Sequence, residues 1–159
     1  MKKQILVVDD ELSILKLLNF ILSKDYDLVI KQNGADAISW LEDGNDPALI
    51  ISDLEMPFVD GYQLATWVRE NAVHCVTPIM ALTAHAFEQT RIRCEEHGIN
   101  EILTKPFHEK NLFDAIKRLL TLTNVDCYRR VCGIVGKGVC DGIVAAQSQG
   151  KAAGAYNAV

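Results

Sequence analysis

Five short apolar runs constrain this chain more than any other feature: Ile5 to Val8, Leu28 to Ile30, Leu49 to Ile51, Ile79 to Leu82, and Ile102 with Leu103. None exceeds four residues, and polar residues barely interrupt them. A strand with one wet face alternates apolar and polar residues. A strand of a parallel sheet is covered by helices on both faces and reads as a continuous apolar run. Between the runs, Ile14, Leu15, Leu18, Ile21 and Leu22 recur at helical spacing, as do Leu112, Ile116, Leu119 and Leu120. Segments 34–43, 61–71 and 86–97 also read as helices. The alternation predicts five βα units, an α/β sandwich closing near residue 121.

A chain of 159 residues holds one well-buried core and little more. Residues 1–121 form the expected domain, and 122–159 a Gly/Ala-rich C-terminal extension with no recognisable output domain. Punctuation supports the unit boundaries. Gly34 opens one helix, Asp60-Gly61 turns into another, Gly98 stands where a C-terminal cap would fall, and Pro106 disfavours helix at Lys105.

Charge narrows the function classes. The net charge is −5, and residues 1–120 alone carry 12 Lys+Arg against 19 Asp+Glu. An acidic body of this kind argues against direct binding of nucleic acid or an anionic membrane, which needs a clustered basic face. After Lys2 and Lys3 only four apolar residues precede Asp9, too few for a signal-peptide core or a membrane span, so a cytoplasmic protein is expected. Five cysteines without a repeated short spacing fit reduced thiols.

Four of the five strands end in residues able to do chemistry. The first ends in Asp9 and Asp10, the third in Asp53 (IISD), the fourth in Thr83 (MALT) and the fifth in Lys105 (ILTK). The second ends in Lys31-Gln32-Asn33-Gly34, which is chemically inert. Ligands of open α/β sheets sit at the carboxyl ends of strands where the winding reverses. With strands one and three adjacent, four and five beyond three, and two at the far edge, the four reactive ends share one rim.

Taken singly these residues have ordinary explanations, since a strand-end Asp often only caps the next helix. Together they crowd three carboxylates. Two unit charges ~4 Å apart repel by about 4 kcal/mol at an effective dielectric near ~20, so Asp9, Asp10 and Asp53 call for a cation. Mg²⁺ suits them, being hard, octahedral and commonly held by one or two carboxylates plus a phosphate. Beside a lysine and a threonine this is the apparatus of phosphoryl transfer. Asp53 would be the nucleophile, Lys105 a point charge on a phosphate oxygen, and Thr83 a hydroxyl donor.

The set resembles the receiver domain of bacterial two-component response regulators over residues 1 to about 121. The family's acidic pair matches Asp9-Asp10, its phosphoacceptor matches Asp53 in DLEMPFVDGY, its switch hydroxyl matches Thr83 in ALTAH, and its lysine matches Lys105 in KPF. The resemblance implies a flavodoxin-like, doubly wound five-stranded parallel sheet of order 2-1-3-4-5, a cis bond before Pro106, and a Mg²⁺ ligand from the Glu55 backbone carbonyl. It implies phosphate transfer from a histidine kinase or phosphotransfer protein, catalysed by the domain itself, and a readout face on the fourth helix, fifth strand and fifth helix. Ile102 stands where the family often has Tyr or Phe, which would leave the loop after the fourth strand to carry the signal. Glu55 and His85, two residues beyond the phosphoacceptor and the switch threonine, would tune the phosphate lifetime.

Rival readings remain. A receiver module of a hybrid kinase or larger regulator would show the same motifs. A Mg²⁺-dependent aspartyl-phosphate phosphatase would need a second Asp at position 55, where this chain has Glu. A flavin phosphate would meet Asp9, Asp10 and Glu11 rather than a glycine-rich loop. The stretch GIVGKG at 133–138 is no phosphate loop, because Gly138 rather than Ser or Thr follows Lys137. Cys127, Cys132 and Cys140 lack the paired spacing of a metal site.

Overall fold

The computed structural model describes residues 2–121. The expected extension over 122–159, with Cys127, Cys132 and Cys140, lies outside the described residues. Five strands alternate with five helices: β1 (Gln4–Val8), α1 (Leu12–Leu22), β2 (Asp27–Lys31), α2 (Gly34–Glu42), β3 (Leu49–Asp53), α3 (Gly61–Glu70), β4 (Ile79–Thr83), α4 (Glu88–Glu96), β5 (Glu101–Thr104) and α5 (Glu109–Leu120). All pairings are parallel, in the order β2-β1-β3-β4-β5. This is the flavodoxin-like α/β fold expected from the sequence.

Successive strand residues face opposite sides of a sheet, and the two cores divide on that basis. Leu6, Val8 and Ile50 face α2 and α3, meeting Ala37, Leu41, Leu64 and Val68. Ile5, Val7, Leu49, Ile51, Met80 and Leu82 face the other way, meeting Leu15, Leu18 and Leu22 of α1 and Leu112, Ile116 and Leu119 of α5. From Ile5 to Val8, and throughout β3 and β4, every residue is buried. The edge strands differ from the expectation of burial on both faces: β2 and β5 are only half covered, and Ile30 is exposed. An edge strand lacks a neighbour on one side, so the helices that cover the centre overhang it only partly.

Local chemistry sets the helix starts. Asn33 caps α2 by accepting from the Asp36 N–H at 2.8 Å, and Asp60 caps α3 in a reciprocal box with Gln63. Gly61 brings α3 against the strand that carries Asp53: a Cβ there would stand 2.4 Å from the Asp53 carbonyl oxygen. Gly98 adopts a φ of 78° just beyond α4, as a C-terminal cap should.

Helix α4 buries only Cys94. Its seating is largely polar. The Arg93 guanidinium lies 4.0 Å from the centre of the Tyr62 ring, and His97 Nδ1 is 2.8 Å from Thr66 Oγ1 on α3. At the end of the sheet where the strands begin, Arg69 is 3% exposed and donates to the carbonyls of Gly98, Cys75 and Thr77 and to Asn100 Oδ1. Cys75 and Cys94 are buried free thiols, and burial pushes the Cys75 thiol up to about 11, out of the reactive range.

Candidate functional site

The strand ends converge as the motif order required. Asp53 and Thr83 are the last residues of β3 and β4, while Asp9 and Lys105 stand one residue beyond β1 and β5. The register sets Asp53 beside Leu82 and Thr83 beside Thr104, and the Lys105 N–H donates to the Thr83 carbonyl at 2.7 Å. Lys105-Pro106 is a cis peptide. Carboxylate oxygens of Asp9, Asp10 and Asp53 lie within 4.8 Å of one another.

Within this cluster the three acids have different surroundings. Asp9 is fully buried, and both its oxygens have donors: Lys105 Nζ at 2.9 Å on Oδ2 and the Glu11 N–H at 2.9 Å on Oδ1. Asp53 is nearly buried. Its Oδ2 lies 3.4 Å from Lys105 Nζ, and its Oδ1 accepts from the Glu55 N–H at 3.3 Å. Asp10 is exposed and takes part in none of the described hydrogen bonds. One lysine therefore serves two carboxylates and leaves the third unpaired.

The electrostatics follow. Burial, then the charge of Asp9, push the Asp53 carboxyl up to about 6 despite Lys105. For Lys105, burial pulls downward, but the Asp9 hydrogen bond and the charges of Asp53, Asp9 and Glu11 outweigh it, and its pKa rises. The residual negative charge and the all-oxygen donor set fit a small hard dication.

Thr83 is buried and its hydroxyl is occupied: it donates to the His85 carbonyl and accepts from the His85 N–H, both at 3.1 Å. His85 is exposed and stacks on Phe87, ring centres 5.8 Å apart. A cleft of ≈ 540 Å³ opens between the segment that follows Asp53 and α4, lined by Glu55, Met56, Pro57, Thr83, His85 and Arg93 among others. Ile102 is partly buried in the middle of β5, packed against the core on the α3 side.

The sequence reading missed Phe58. It has a φ of 68°, and across it the Val59 N–H donates to the Pro57 carbonyl at 2.9 Å. That three-residue turn is rare and strained for a residue with a side chain, at a cost on the order of 1–3 kcal/mol. Val59 lies so close to Gly34 that any Cβ there would approach Val59 Cγ1 to 2.6 Å. Phe58 is 96% exposed, so no burial among the described residues offsets the strain.

Residues 5–117 match the model of the response regulator receiver domain. The chain belongs to that family. As a receiver domain it is similar to the transcriptional regulatory protein SrrA of Staphylococcus aureus, 37% identical over 124 residues, which cover 77% of this chain and 50% of SrrA. The chain thus spans about half the length of the curated relatives it matches. Among solved structures it is similar to the chemotaxis protein CheY4 of Vibrio cholerae, with a TM-score of 0.71, 26% identity, and coverage of 75% of this chain and 99% of that one. It is likewise similar to the receiver domain of a sensor histidine kinase from Pseudomonas aeruginosa PAO1, with a TM-score of 0.69, 28% identity, and coverage of 77% and 100%. That domain was solved with a magnesium ion coordinated in its active-site cleft. Receiver domains of response regulators are phosphorylated by histidine kinases, so this receiver is a module of two-component signalling. Among the described residues no helix is long and apolar enough to cross a membrane.

Proposed function

We propose that this receiver is a phosphorylatable switch in which Asp53 takes a phosphoryl group from the phosphohistidine of a kinase or phosphotransfer protein. One observation carries the reading: Asp9, Asp10 and Asp53 meet within 4.8 Å while a single lysine bridges Asp9 and Asp53. In the transfer, an Asp53 oxygen forms the new P–O bond as the P–N bond to imidazole breaks, and the imidazole leaves with the bonding electron pair. Asp10, Asp53 and the Glu55 backbone carbonyl would hold Mg²⁺ directly. Asp9, whose oxygens already have donors, would act mostly through water. When bound, Mg²⁺ supplies charge neutralisation for the phosphoryl oxygens. Lys105 stabilises the same oxygens, and the chain catalyses no reaction beyond its own phosphorylation and dephosphorylation.

Phosphorylation adds close to two negative charges to this pocket. The Thr83 hydroxyl can exchange the His85 carbonyl for a phosphate oxygen, which releases the loop leading into α4. Because α4 buries one side chain and otherwise sits on polar contacts, it is the element most easily reseated, and the face of α4, β5 and α5 is the readout surface for a downstream protein. Glu55 and His85 border the cleft through which water would reach the phosphate and so tune its lifetime, and Ile102 removes an aromatic relay. The same chemistry serves a stand-alone cytoplasmic switch or a module of a larger regulator or hybrid kinase. The test is incubation with acetyl phosphate and mass measurement. Parent protein with Mg²⁺ gains one phosphoryl group, whereas Asp53→Asn, or parent protein in chelator, gains none; incorporation in either would overturn the assignment.

A further inference from the structure

Strand β2 is an edge of the sheet, with β1 on one side and, among the described residues, no strand on the other. The Asp27 N–H donates to the Lys3 carbonyl and the Lys31 carbonyl accepts from the Asp9 N–H, so Asp27, Val29 and Lys31 turn their backbone groups toward β1. Backbone groups alternate along a strand, and Leu28 and Ile30 therefore turn theirs outward. Natural edges are blunted by a proline, by a bulge or by a charge in mid-strand. This one has none of them. Its register with β1 is unbroken over all five residues, Leu28-Val29-Ile30 is wholly apolar, and Ile30 is 37% exposed.

We infer that two copies of this chain pair antiparallel along β2, forming a two-fold dimer with one continuous sheet of ten strands, five from each copy. The order Asp27-Leu28-Val29-Ile30-Lys31 is its own complement about Val29. With a second copy antiparallel, Asp27 stands opposite Lys31, Leu28 opposite Ile30, and Val29 opposite itself. Opposite charges then meet at both ends of the strand, and branched apolar side chains meet between them. The backbone requires the same register. Leu28 and Ile30, whose groups face outward, become the residues that exchange N–H and C=O bonds across the axis, and a slip of one residue would present groups already bonded to β1. A parallel neighbour in register would set Asp27 beside Asp27. A second copy adding β5 to β2 would leave an edge free at each end and grow without closing, whereas the β2 pair closes on itself. In the dimer β5 remains the outer edge of each copy, and the two acidic strand ends lie at opposite ends of the shared sheet.

The full chain in reducing buffer is compared with Asp27→Lys, Lys31→Asp and the exchanged pair Asp27→Lys/Lys31→Asp by sedimentation equilibrium over a range of concentrations. The parent should pass from monomer to dimer and form nothing larger. Each single reversal sets like charges opposite one another twice across the axis and should weaken the dimer about tenfold, while the exchanged pair restores opposite charges and should come within about threefold of the parent. Hydrogen exchange of the parent needs no substitution: the Leu28 and Ile30 amides should be protected in concentrated protein and exchange freely on dilution. A parent still monomeric at about 1 mM overturns the pairing. So does a dimer that neither reversal weakens, which would use another face. Exchanged charges that leave the dimer as weak as the single reversals overturn it too, as do Leu28 and Ile30 amides that exchange equally at every concentration.

Discussion

Each end of the sheet sets a cation among oxygens, Arg69 buried and Lys105 partly so, and the two are built to opposite ends. Arg69, where the strands begin, donates to three carbonyls and one side-chain amide oxygen, a set of fixed dipoles around its charge. Lys105, where the strands finish, stands between two carboxylates with a third close by, so negative charge is left over. The first arrangement ties α3, the loop after it and the loop before β5 into one piece. The second leaves a group unsatisfied, and burial together with Asp9 holds the Asp53 carboxyl near 6. A buried charge that is fully paired marks structure; one left under-neutralised in a cleft marks a place where another ion or group belongs.

The contrast is broken most directly by exchanging what each end loses. Asp53→Asn should lower phosphoryl incorporation by more than ~10²-fold, read by mass, while the melting temperature stays level or rises because a repulsive charge has gone. Arg69→Met should do the reverse. It strands several buried carbonyls and should cost about 3–5 kcal/mol in denaturant melts. Labelling of the folded fraction should stay within about twofold of the parent. A cost below about 1 kcal/mol would show that Arg69 is not the tie described.

Acidification sharpens the same comparison. The native Asp53 carboxyl binds its proton more tightly than the unfolded one, at about 6 against the ordinary 3.8. Its stabilising contribution is therefore fully present below about 3.8 and lost as pH rises through about 6. In metal-free buffer the parent should gain on the order of 2 kcal/mol relative to Asp53→Asn as pH falls from ~7 to ~4. Saturating Mg²⁺ should flatten this gain, and a parent that loses stability relative to Asp53→Asn on acidification would contradict it. A smaller effect is expected for Asp10→Ala, which should weaken Mg²⁺ by about tenfold in calorimetric titration and raise metal-free stability by about 0.5–1 kcal/mol. The smallest concerns the extension: truncation after Thr123 should leave the melting temperature and labelling rate unchanged at moderate salt. A drop of several degrees would move the domain boundary.

Much of the site was legible in the chain because strand ends are local features. An apolar run that stops at a carboxylate, threonine or lysine places that residue on the rim wherever the strand lies in the sheet, so Asp9, Asp53, Thr83 and Lys105 could be named together. The partial exposure of β2 and β5 was not legible, since Leu28 to Ile30 is as apolar as Leu49 to Ile51 and only the position at an edge separates them. Nor were Phe58 and Arg69. A phenylalanine or an arginine has no periodicity of its own, and the turn at Phe58 lies where Val59 closely approaches Gly34, 25 residues away in the chain.

By itself the sequence determined the alternation of strands and helices, the helix caps at Asn33 and Asp60, and which residues stand at the strand ends, because each rests on spacing or on a hydrogen bond between near neighbours. The tertiary structure alone decided who pairs with whom. Lys105 gives its short contact to Asp9, 96 residues away, rather than to Asp53, and α4 settles on Tyr62 and Thr66 through Arg93 and His97. Such choices turn on distances between elements that packing sets, and a difference of half an ångström in a buried pocket decides which carboxylate keeps the lysine and which remains open to a new charge.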